Sequence, residues 1–275
     1  MNLLDRIISI DGKNIQELEA NGDSRHSAKE GQTTTLTIRR DGLEKDIAIT
    51  NALVNAESTC AAYMINDSIT YLKINQFNAR VYKDFNFALE ALEQNKIKHI
   101  IVDLRGNPGG YLPQTANILS LFFKEKDKLL VKTVDKNDRV SEYKSTGRQF
   151  YPLEKVAIIV DTRSASGSEI LAGAIQDWDR GTIVGQTTYG KGLVQEQYTL
   201  NNGGALRLTI AKYLTPSGRF IQKPFEEIET DTQDYSSLIH DRPLANQEGI
   251  VPDVKIDIPD AVSYTHLTLP TKRIV

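Results

Sequence analysis

The residues best suited to chemistry in this chain are a serine and a lysine, each set in a turn of small residues. Ser166 lies within Ser164–Ser168, just before a segment with helical spacing, and Lys191 lies between Gly190 and Gly192. A serine becomes a nucleophile only when a base accepts its proton, and no histidine lies near this region of the sequence. Lysine can be that base when burial lowers its pKa. Because Ser-Lys pairs are a variant of the catalytic triad, the two residues predict an acyl-transfer enzyme and favour a serine peptidase.

Each member of the pair also has a structural interpretation. Ser166 followed by Glu169 fits a capping box, and a lysine between two glycines is commonly a solvent-exposed hairpin residue. Cys60, the single cysteine, lies in a predicted strand and is interpreted as a buried structural thiol. No metal-ligand spacing relates the four histidines, which are His26, His99, His240 and His266. We therefore predict neither a metal nor a cofactor.

Composition excludes several classes of function. The chain has 275 residues, enough for one large domain or two smaller ones, with 40% hydrophobic and 25% charged residues, as in soluble globular proteins. The net charge of −3 does not indicate a nucleic-acid or anionic-membrane partner. No apolar run approaches transmembrane length, and no signal peptide follows Met1. We expect the natural protein to start earlier and end later than this sequence.

Strands and helices alternate after about residue 53, which predicts an α/β core. The continuous apolar runs at 99–104 and 156–160 are typical of strands covered on both faces. The other predicted core elements are strands at 69–74, 182–184, 205–213 and 249–254, helices at 84–94, 114–123 and 169–178, and a surface loop at 225–241.

Residues 1–52 predict about three strands and a short helix, too few to bury a core alone. Alternating runs at 6–10, 33–40 and 45–49 are punctuated by Asp-Gly turns at 11–12 and 41–42. This segment resembles the second half of a PDZ domain, with Leu4 where the PDZ signature has a glycine. Because the first half is missing, we expect no complete peptide-binding groove from this segment.

A glycine-rich turn, Asp103–Gly110, follows the apolar run at 99–104. Its glycines could present backbone N–H groups to an anion. The turn has neither G-K-[ST] nor G-x-G-x-x-G, which argues against nucleotide binding. Spacing alone leaves an anion site and a plain strand-to-helix turn equally open.

Four blocks together resemble the carboxy-terminal processing peptidase family: DRIISIDG (5–12), DLRGNPGG (103–110), SASGSEILAGAIQD with GQTTYGKGLVQ (164–177 and 185–195), and GIVPDV (249–254). The resemblance implies a serine peptidase with a PDZ domain and a Ser-Lys dyad on a crotonase-like α/β (α+β) core. It implies three segments: a partial PDZ domain at 1–52, the peptidase core at 53–260, and a non-native tail at 261–275 that continues no pattern of the core.

The resemblance also assigns site residues. Ser166 becomes the nucleophile, Lys191 the base, and Gln195 the residue that orients the lysine. The oxyanion donors fall on the N–H groups of Gly167 and of one glycine in the 103–110 turn, for which we choose Gly109. The remaining assignment is a supporting role for Asp177.

The family resemblance implies polypeptide substrates with unstructured C-terminal tails, bound as an added strand along a sheet edge. It further implies a location outside the cytoplasm, in the bacterial periplasm, and allows a membrane anchor in the parent protein. Two alternatives stay open. A catalytically silent scaffold would have lost Ser166, Lys191 or Gln195, and a crotonase-like thioester enzyme would need no Ser-Lys pair.

Overall fold

The computed structural model describes residues 5–20, 29–52, 58–92, 97–149, 151–201, 204–224, 233–246 and 248–256. The chain divides into two compact units, Met1–Ala56 and Glu57–Val275. Of the loop predicted at 225–241, residues 233–241 are described and include a two-residue strand, Tyr235–Ser236. The 261–275 tail, Leu4, the Cys60 side chain and residues 225–232 lie outside the described residues. The expectations for them stay predictions.

The first unit is a four-stranded antiparallel sheet in the order β2-β1-β3-β4. Its elements are β1 (Arg6–Ile10), β2 (Lys13–Asn14), α1 (Ile15–Ala20), β3 (Thr33–Arg40) and β4 (Leu43–Thr50). Both Asp-Gly turns have positive φ at both residues, as type I′ hairpin turns require. The strands and helix predicted here are confirmed, and the assignment to a PDZ domain stays a prediction.

The second unit contains three helices and twelve strands among its described residues. In chain order these are β5 (Thr59–Met64), β6 (Ile69–Ile74), α2 (Val81–Leu92), β7 (His99–Asp103), α3 (Leu112–Ser120), β8 (Lys126–Asp135), β9 (Val140–Thr146), β10 (Lys155–Val160), α4 (Gly167–Asp177), β11 (Thr182–Gly185), β12 (Leu193–Thr199), β13 (Ala205–Leu214), β14 (Tyr235–Ser236), β15 (Pro243–Leu244) and β16 (Val254–Lys255).

A six-stranded sheet in the order β16-β11-β10-β7-β6-β5 forms the centre of this unit. All its pairs are parallel except the β5–β6 pair. The central strands carry fully buried apolar residues such as Val102, Ile158 and Ile183, which join the core with Phe85 and Leu89 of α2. Burying such side chains is worth roughly 1.5–3 kcal/mol each. The predicted α/β class is confirmed.

The strand predicted at 249–254 is wrong for residues 249–253. Of this segment only Val254 is in a strand, β16, and the Ile250 backbone is instead hydrogen-bonded to Thr188.

A second sheet of this unit is four-stranded and antiparallel, in the order β12-β13-β8-β9. Of its strands only β13 was predicted from the sequence. The residues of β9 and β12 are largely exposed, so their sequences lack the apolar alternation that marks a half-buried strand. Exposure therefore accounts for the missed β9 and β12. It does not account for the missed β8, in which Leu130 and Val131 are buried.

All three described helices of this unit begin earlier than predicted. α2 starts at Val81 rather than at 84 and is described to Leu92; the predicted residues 93 and 94 lie outside the described residues. α3 starts at Leu112 rather than at 114, with Pro113 in its first turn, where its missing N–H is not needed. It ends at Ser120 rather than at 123. α4 starts at Gly167 rather than at 169, because Ser166 is its N-cap. Within the described residues, no helix combines the length and hydropathy that a membrane span requires.

Candidate active site

Ser166 occupies a sharp turn between β10 and α4. Its backbone has φ 54° and ψ −112°, a conformation that non-glycine residues rarely adopt. A strained serine at a strand-to-helix turn is the arrangement that presents a nucleophilic hydroxyl above the sheet in hydrolases with a nucleophile elbow. The local backbone is therefore built to expose the Ser166 side chain.

The structure separates Ser166 from its two neighbouring serines. The Ser164 hydroxyl is buried and donates to the Leu104 carbonyl at 2.8 Å, and that of Ser168 is buried and donates to the Asn107 carbonyl at 3.0 Å. Ser166 alone of the three lines an open cleft. The outer serines fasten the turn to the glycine-rich loop, which leaves the middle one free for chemistry.

Gly109 packs directly against the serine turn. A Cβ at Gly109 would lie 2.6 Å from the Ala165 carbonyl oxygen and 2.8 Å from the Ser166 Cβ, and its φ is +91°. Only glycine fits this approach without moving backbone. The glycine-rich loop therefore forms one wall of the site, as an anion-binding turn would.

The N–H of Gly109 is already used inside the protein. It donates to Asn107 Oδ1 at 2.8 Å, so it does not point to the cleft as the oxyanion assignment requires. Among the described residues, the N–H groups of Gly110 and Gly167 have no acceptor. Gly110 also lines the cleft. The geometry thus supports Gly167 as a donor and points to Gly110 rather than Gly109 as the second.

Glu169 connects the serine turn to the lysine loop. Its fully buried carboxylate accepts hydrogen bonds from the Ser166 N–H (2.8 Å), the Thr188 hydroxyl (2.6 Å), the Gly190 N–H (2.7 Å) and the Lys191 N–H (2.9 Å). Sequence reasoning recognised Glu169 only as a capping residue. Glu169 also accepts hydrogen bonds from the lysine loop, and these are tertiary contacts that the capping-box spacing does not reveal.

Burial shapes the electrostatics around this carboxylate. Desolvation raises the pKa of Glu169, opposed by the hydrogen bonds from Thr188, Lys191, Gly190 and Ser166. The fully buried Tyr213 hydroxyl donates to the Ser166 carbonyl at 3.4 Å. Burial, followed by the negative charge of Glu169, raises the pKa of Tyr213 well above its usual value. Tyr213 is therefore a neutral hydrogen-bond donor at physiological pH.

The lysine loop is anchored by the fourth sequence block. The Ile250 N–H donates to the Thr188 hydroxyl at 2.7 Å, and the Thr188 N–H donates back to the Ile250 carbonyl. The Tyr189 N–H donates to the Ser164 carbonyl at 3.0 Å. The GIVPDV segment at 249–254 therefore acts as a support for Lys191, which explains why it accompanies the serine and lysine blocks.

Ser166 and Lys191 line the same cleft, a cavity of about 820 Å³. Lys191 is partly buried, and within the described part of the chain its Nζ has neither a carboxylate nor a hydrogen-bond partner. Gln195 lines the same cleft from β12, but it is exposed and makes no hydrogen bond to Lys191 among the described residues. Ser166, Lys191 and Gln195 thus line one cleft, and the role of Gln195 in orienting the lysine stays a prediction.

Asp177 lies at the opposite end of α4 and does not line the cleft. Its side chain and that of Arg219 are fully buried and form an ion pair. The other carboxylate oxygen accepts from the Ser217 N–H at 2.8 Å and from the Ser217 hydroxyl at 2.7 Å. These contacts support a structural role for Asp177.

The base of the glycine-rich loop holds a buried carboxylate. Burial opposes ionisation of Asp103, but hydrogen bonds from Arg105 and Tyr71 outweigh it and lower the pKa of Asp103 to about 2. Desolvation and the bond to Asp103 raise the pKa of Tyr71 to about 12. The ionised Asp103 thus anchors the first residues of the loop. Among the described residues, no cluster of His, Cys, Asp and Glu could hold a metal ion.

A family model described as peptidase family S41 matches residues 68–234. Carboxy-terminal processing protease CtpB of Bacillus subtilis is 35% identical over 230 residues, which cover 80% of this chain and 46% of that protein. The carboxy-terminal-processing protease of Bartonella bacilliformis is 35% identical over 226 residues, covering 79% and 51%. The chain belongs to peptidase family S41, among the carboxy-terminal processing proteases, and spans about half the length of these curated relatives.

A solved structure supports the fold assignment. The photosystem II D1 C-terminal processing protease aligns with a TM-score of 0.58 at 22% identity, over 92% of this chain and 63% of that one. At this identity the likeness concerns the fold alone. It agrees with the mixed α/β architecture of the described residues.

Proposed function

We propose that this chain is the core of a serine endopeptidase that cleaves unstructured C-terminal regions of proteins, with Ser166 as nucleophile and Lys191 as general base. The observation that carries the proposal is the shared cleft: both side chains line it, and the Glu169 carboxylate fastens both backbones. Family membership supports a peptidase, and the dyad is our assignment from this geometry.

In the first half of the reaction, neutral Lys191 Nζ accepts the Ser166 hydroxyl proton as Oγ attacks the scissile carbonyl carbon. The tetrahedral oxyanion accepts hydrogen bonds from the N–H groups of Gly167 and Gly110. The C–N bond then breaks, and protonated Lys191 gives its proton to the leaving amine. An acyl-enzyme on Ser166 remains.

In the second half, Lys191 accepts a proton from water as the water oxygen attacks the acyl carbon. The bond to Ser166 Oγ breaks, and Lys191 returns the proton to the serine. Two preorganised backbone donors are typically worth several kcal/mol to such transition states, since one lost donor lowers kcat by about 10²–10³-fold. A side chain at Gly167 would disturb this donor, because a Cβ there would lie 2.7 Å from the buried Thr115 hydroxyl.

For the substrate we propose an extended polypeptide tail that pairs with β12. This strand is at the edge of its sheet and contributes Leu193–Gln197 to the wall of the cleft. Main-chain hydrogen bonds to an edge strand give affinity for unfolded segments without a fixed sequence. We further propose that residues 1–52 belong to a PDZ domain that binds the substrate tail. The parent protein, with or without a membrane anchor, is proposed to act outside the cytoplasm, in the bacterial periplasm.

The proposal is tested by incubating an intrinsically unstructured protein with the full chain and following fragments by mass spectrometry. We expect cleavage by the wild type and a loss of at least about 10³-fold in rate for Lys191→Ala. Lys98→Ala, an exposed lysine paired with Glu154 on the surface, is the matched control and should cleave normally. Cleavage by Lys191→Ala at the wild-type rate would rule out the dyad.

A further inference from the structure

The β12–β13 hairpin extends the wall of the cleft with a surface that the dyad does not use. Among the described residues β12 pairs with β13 alone, so its other edge is open. Glu196, Gln197 and Arg207 of this hairpin line the cleft together with Ser166 and Lys191. A chain lying along β12 would therefore run continuously into the catalytic centre.

The register shows which backbone groups are free on that edge. The Leu200 N–H donates to the Gly204 carbonyl, so this pair is hydrogen-bonded. Because hydrogen-bonded and non-hydrogen-bonded pairs alternate along an antiparallel ladder, Tyr198–Leu206 belongs to the first set and Gln197–Arg207 to the second. The N–H and C=O groups of Gln197 consequently point away from β13, where an added strand would meet them.

The two faces of the hairpin differ in chemistry. On one face Tyr198 lies opposite Leu206, and Leu208 follows two residues along; these three side chains are 44%, 45% and 45% exposed. The Tyr198 hydroxyl donates to Glu196 at 2.7 Å, which places both on this face. The first face thus carries an exposed apolar stripe of Tyr198, Leu206 and Leu208, with the Glu196 carboxylate opposite Leu208.

The opposite face is polar and cationic. Gln197 lies opposite Arg207, and the Arg207 guanidinium donates to Gln197 Oε1 at 3.2 Å. Thr199 and Thr209 have the same strand parity and are also exposed. Arg207 belongs to the inner strand β13, and this hydrogen bond brings its exposed guanidinium across to the edge strand β12. A carboxylate on a strand that pairs with β12 is therefore favoured on this face.

We propose that the hairpin reads alternate side chains of the substrate: apolar residues against the stripe of Tyr198, Leu206 and Leu208, and acidic residues against Arg207. The proposal rests on the peptidase function above and deepens it by naming the substrate pattern. Successive side chains of an extended strand point to opposite faces, so one pairing register presents both classes at once. We infer that the occupant of this surface is a polypeptide tail, because the edge of β12 is open, runs into the cleft and lies beside a cationic face.

The test uses two peptides of one composition, one alternating Leu-Asp and one with the same residues in Leu-Leu-Asp-Asp blocks. Cleavage by the full chain is measured as kcat/KM, with the cut bonds mapped by mass spectrometry. Binding to Ser166→Ala is measured separately by fluorescence anisotropy. We expect the alternating peptide to be preferred about threefold to tenfold in both assays, and to be cut at every second bond.

Charge reversal tests the cationic face. Arg207→Glu should prefer an alternating Leu-Lys peptide over Leu-Asp, the reverse of the wild type, and Arg207→Gln should show neither preference. Leu208→Ser in the Leu206→Ser background should abolish the preference for alternation. Val140→Ser is the matched control, because Val140 is 54% exposed on β9 at the other edge of the same sheet.

The possible outcomes distinguish the peptidase function from the substrate preference of the hairpin. Ser166-dependent cleavage with no preference between alternating and block peptides overturns the hairpin inference and leaves the peptidase. A preference in binding without any cleavage upholds the hairpin and overturns the peptidase function. If the hairpin substitutions change oligomeric state in sedimentation and leave peptide preference unchanged, the stripe binds a second copy of the chain and our inference is wrong.

Discussion

The two ends of helix α4 are built on opposite principles. At its N-terminus Ser166 has a strained backbone and a side chain that reaches an open cleft. At its C-terminus Asp177 and Arg219 are fully buried, and every oxygen of the carboxylate is hydrogen-bonded. One helix thus carries a strained backbone at the end that faces the cleft and a fully satisfied buried charge at the end that faces the core.

Both ends of the helix bind other segments through a carboxylate. Glu169, in the first turn, accepts a hydrogen bond from the Lys191 N–H, and Asp177, in the last turn, accepts one from the Ser217 N–H. Changes at the first end should therefore affect activity more than stability, and changes at the second end should do the reverse.

The largest effect on stability is expected for Asp177→Ala. It leaves the buried Arg219 guanidinium without its carboxylate, and breaking a buried pair in this way lowers the free energy of unfolding by about 3–5 kcal/mol. Urea unfolding followed by circular dichroism measures this. The double variant Asp177→Leu/Arg219→Met is the control, and we expect it to recover most of the loss. Unchanged stability of Asp177→Ala would remove the contrast between the helix ends.

Glu169→Gln should affect both properties. The amide offers one acceptor oxygen and places its NH₂ against N–H donors, so we expect a loss of about 1–3 kcal/mol in unfolding free energy. We also expect kcat to fall by about 10²-fold, because misplacing a catalytic group by about 1 Å has that effect. Glu154→Gln, at the protein surface, serves as the control. A loss of stability with kcat intact would limit Glu169 to capping.

The ionised Asp103 should make the stability of the fold depend on pH. Its folded pKa of about 2 lies below the ordinary value of 3.8, so its ionisation stabilises the fold above about pH 4. That contribution, on the order of 2 kcal/mol, is lost as the pH falls from about 4 to 2. Urea midpoints of the wild type should fall over this range, and those of Asp103→Asn should change less. Parallel curves for the two proteins would contradict this role.

The smallest effect on stability, and the one of opposite sign, is expected for Ser166→Gly. Glycine adopts φ 54° without the strain that serine bears, so the free energy of unfolding should rise by about 1 kcal/mol while cleavage is lost. Calorimetric Tm values measure the change. Ser164→Gly, which removes a buried hydrogen bond, should instead lower Tm. A drop in Tm for Ser166→Gly would argue against strain at the nucleophile turn.

Much of the core could be predicted from the sequence because its strands are buried on both faces. The apolar runs at β7 and β10, and the alternation of β3 and β6, mark strands whose observed bounds lie within a residue of the predicted ones. β9 and β12 were missed because their residues are largely exposed and show no apolar periodicity, whereas β8 was missed although Leu130 and Val131 are buried. The fold class was therefore accessible, and the sheet that walls the cleft was not.

The candidate site divides in the same way. Ser166 and Lys191 could be named from residue types and family blocks. The choice of Gly110 over Gly109 depends on which N–H meets Asn107 Oδ1, and the second role of Glu169 depends on a loop 19–22 residues away in the chain. Both are tertiary contacts between separate segments, which no local pattern encodes.

The most direct test of the dyad is covalent labelling by a fluorophosphonate probe, read by intact mass and peptide mapping. The account predicts one adduct on Ser166 of the wild type, none in Ser166→Ala, and labelling slowed by at least about 10²-fold in Lys191→Ala, because the base is lost. An adduct on Ser164 or Ser168, or a labelling rate in Lys191→Ala equal to that of the wild type, would contradict it.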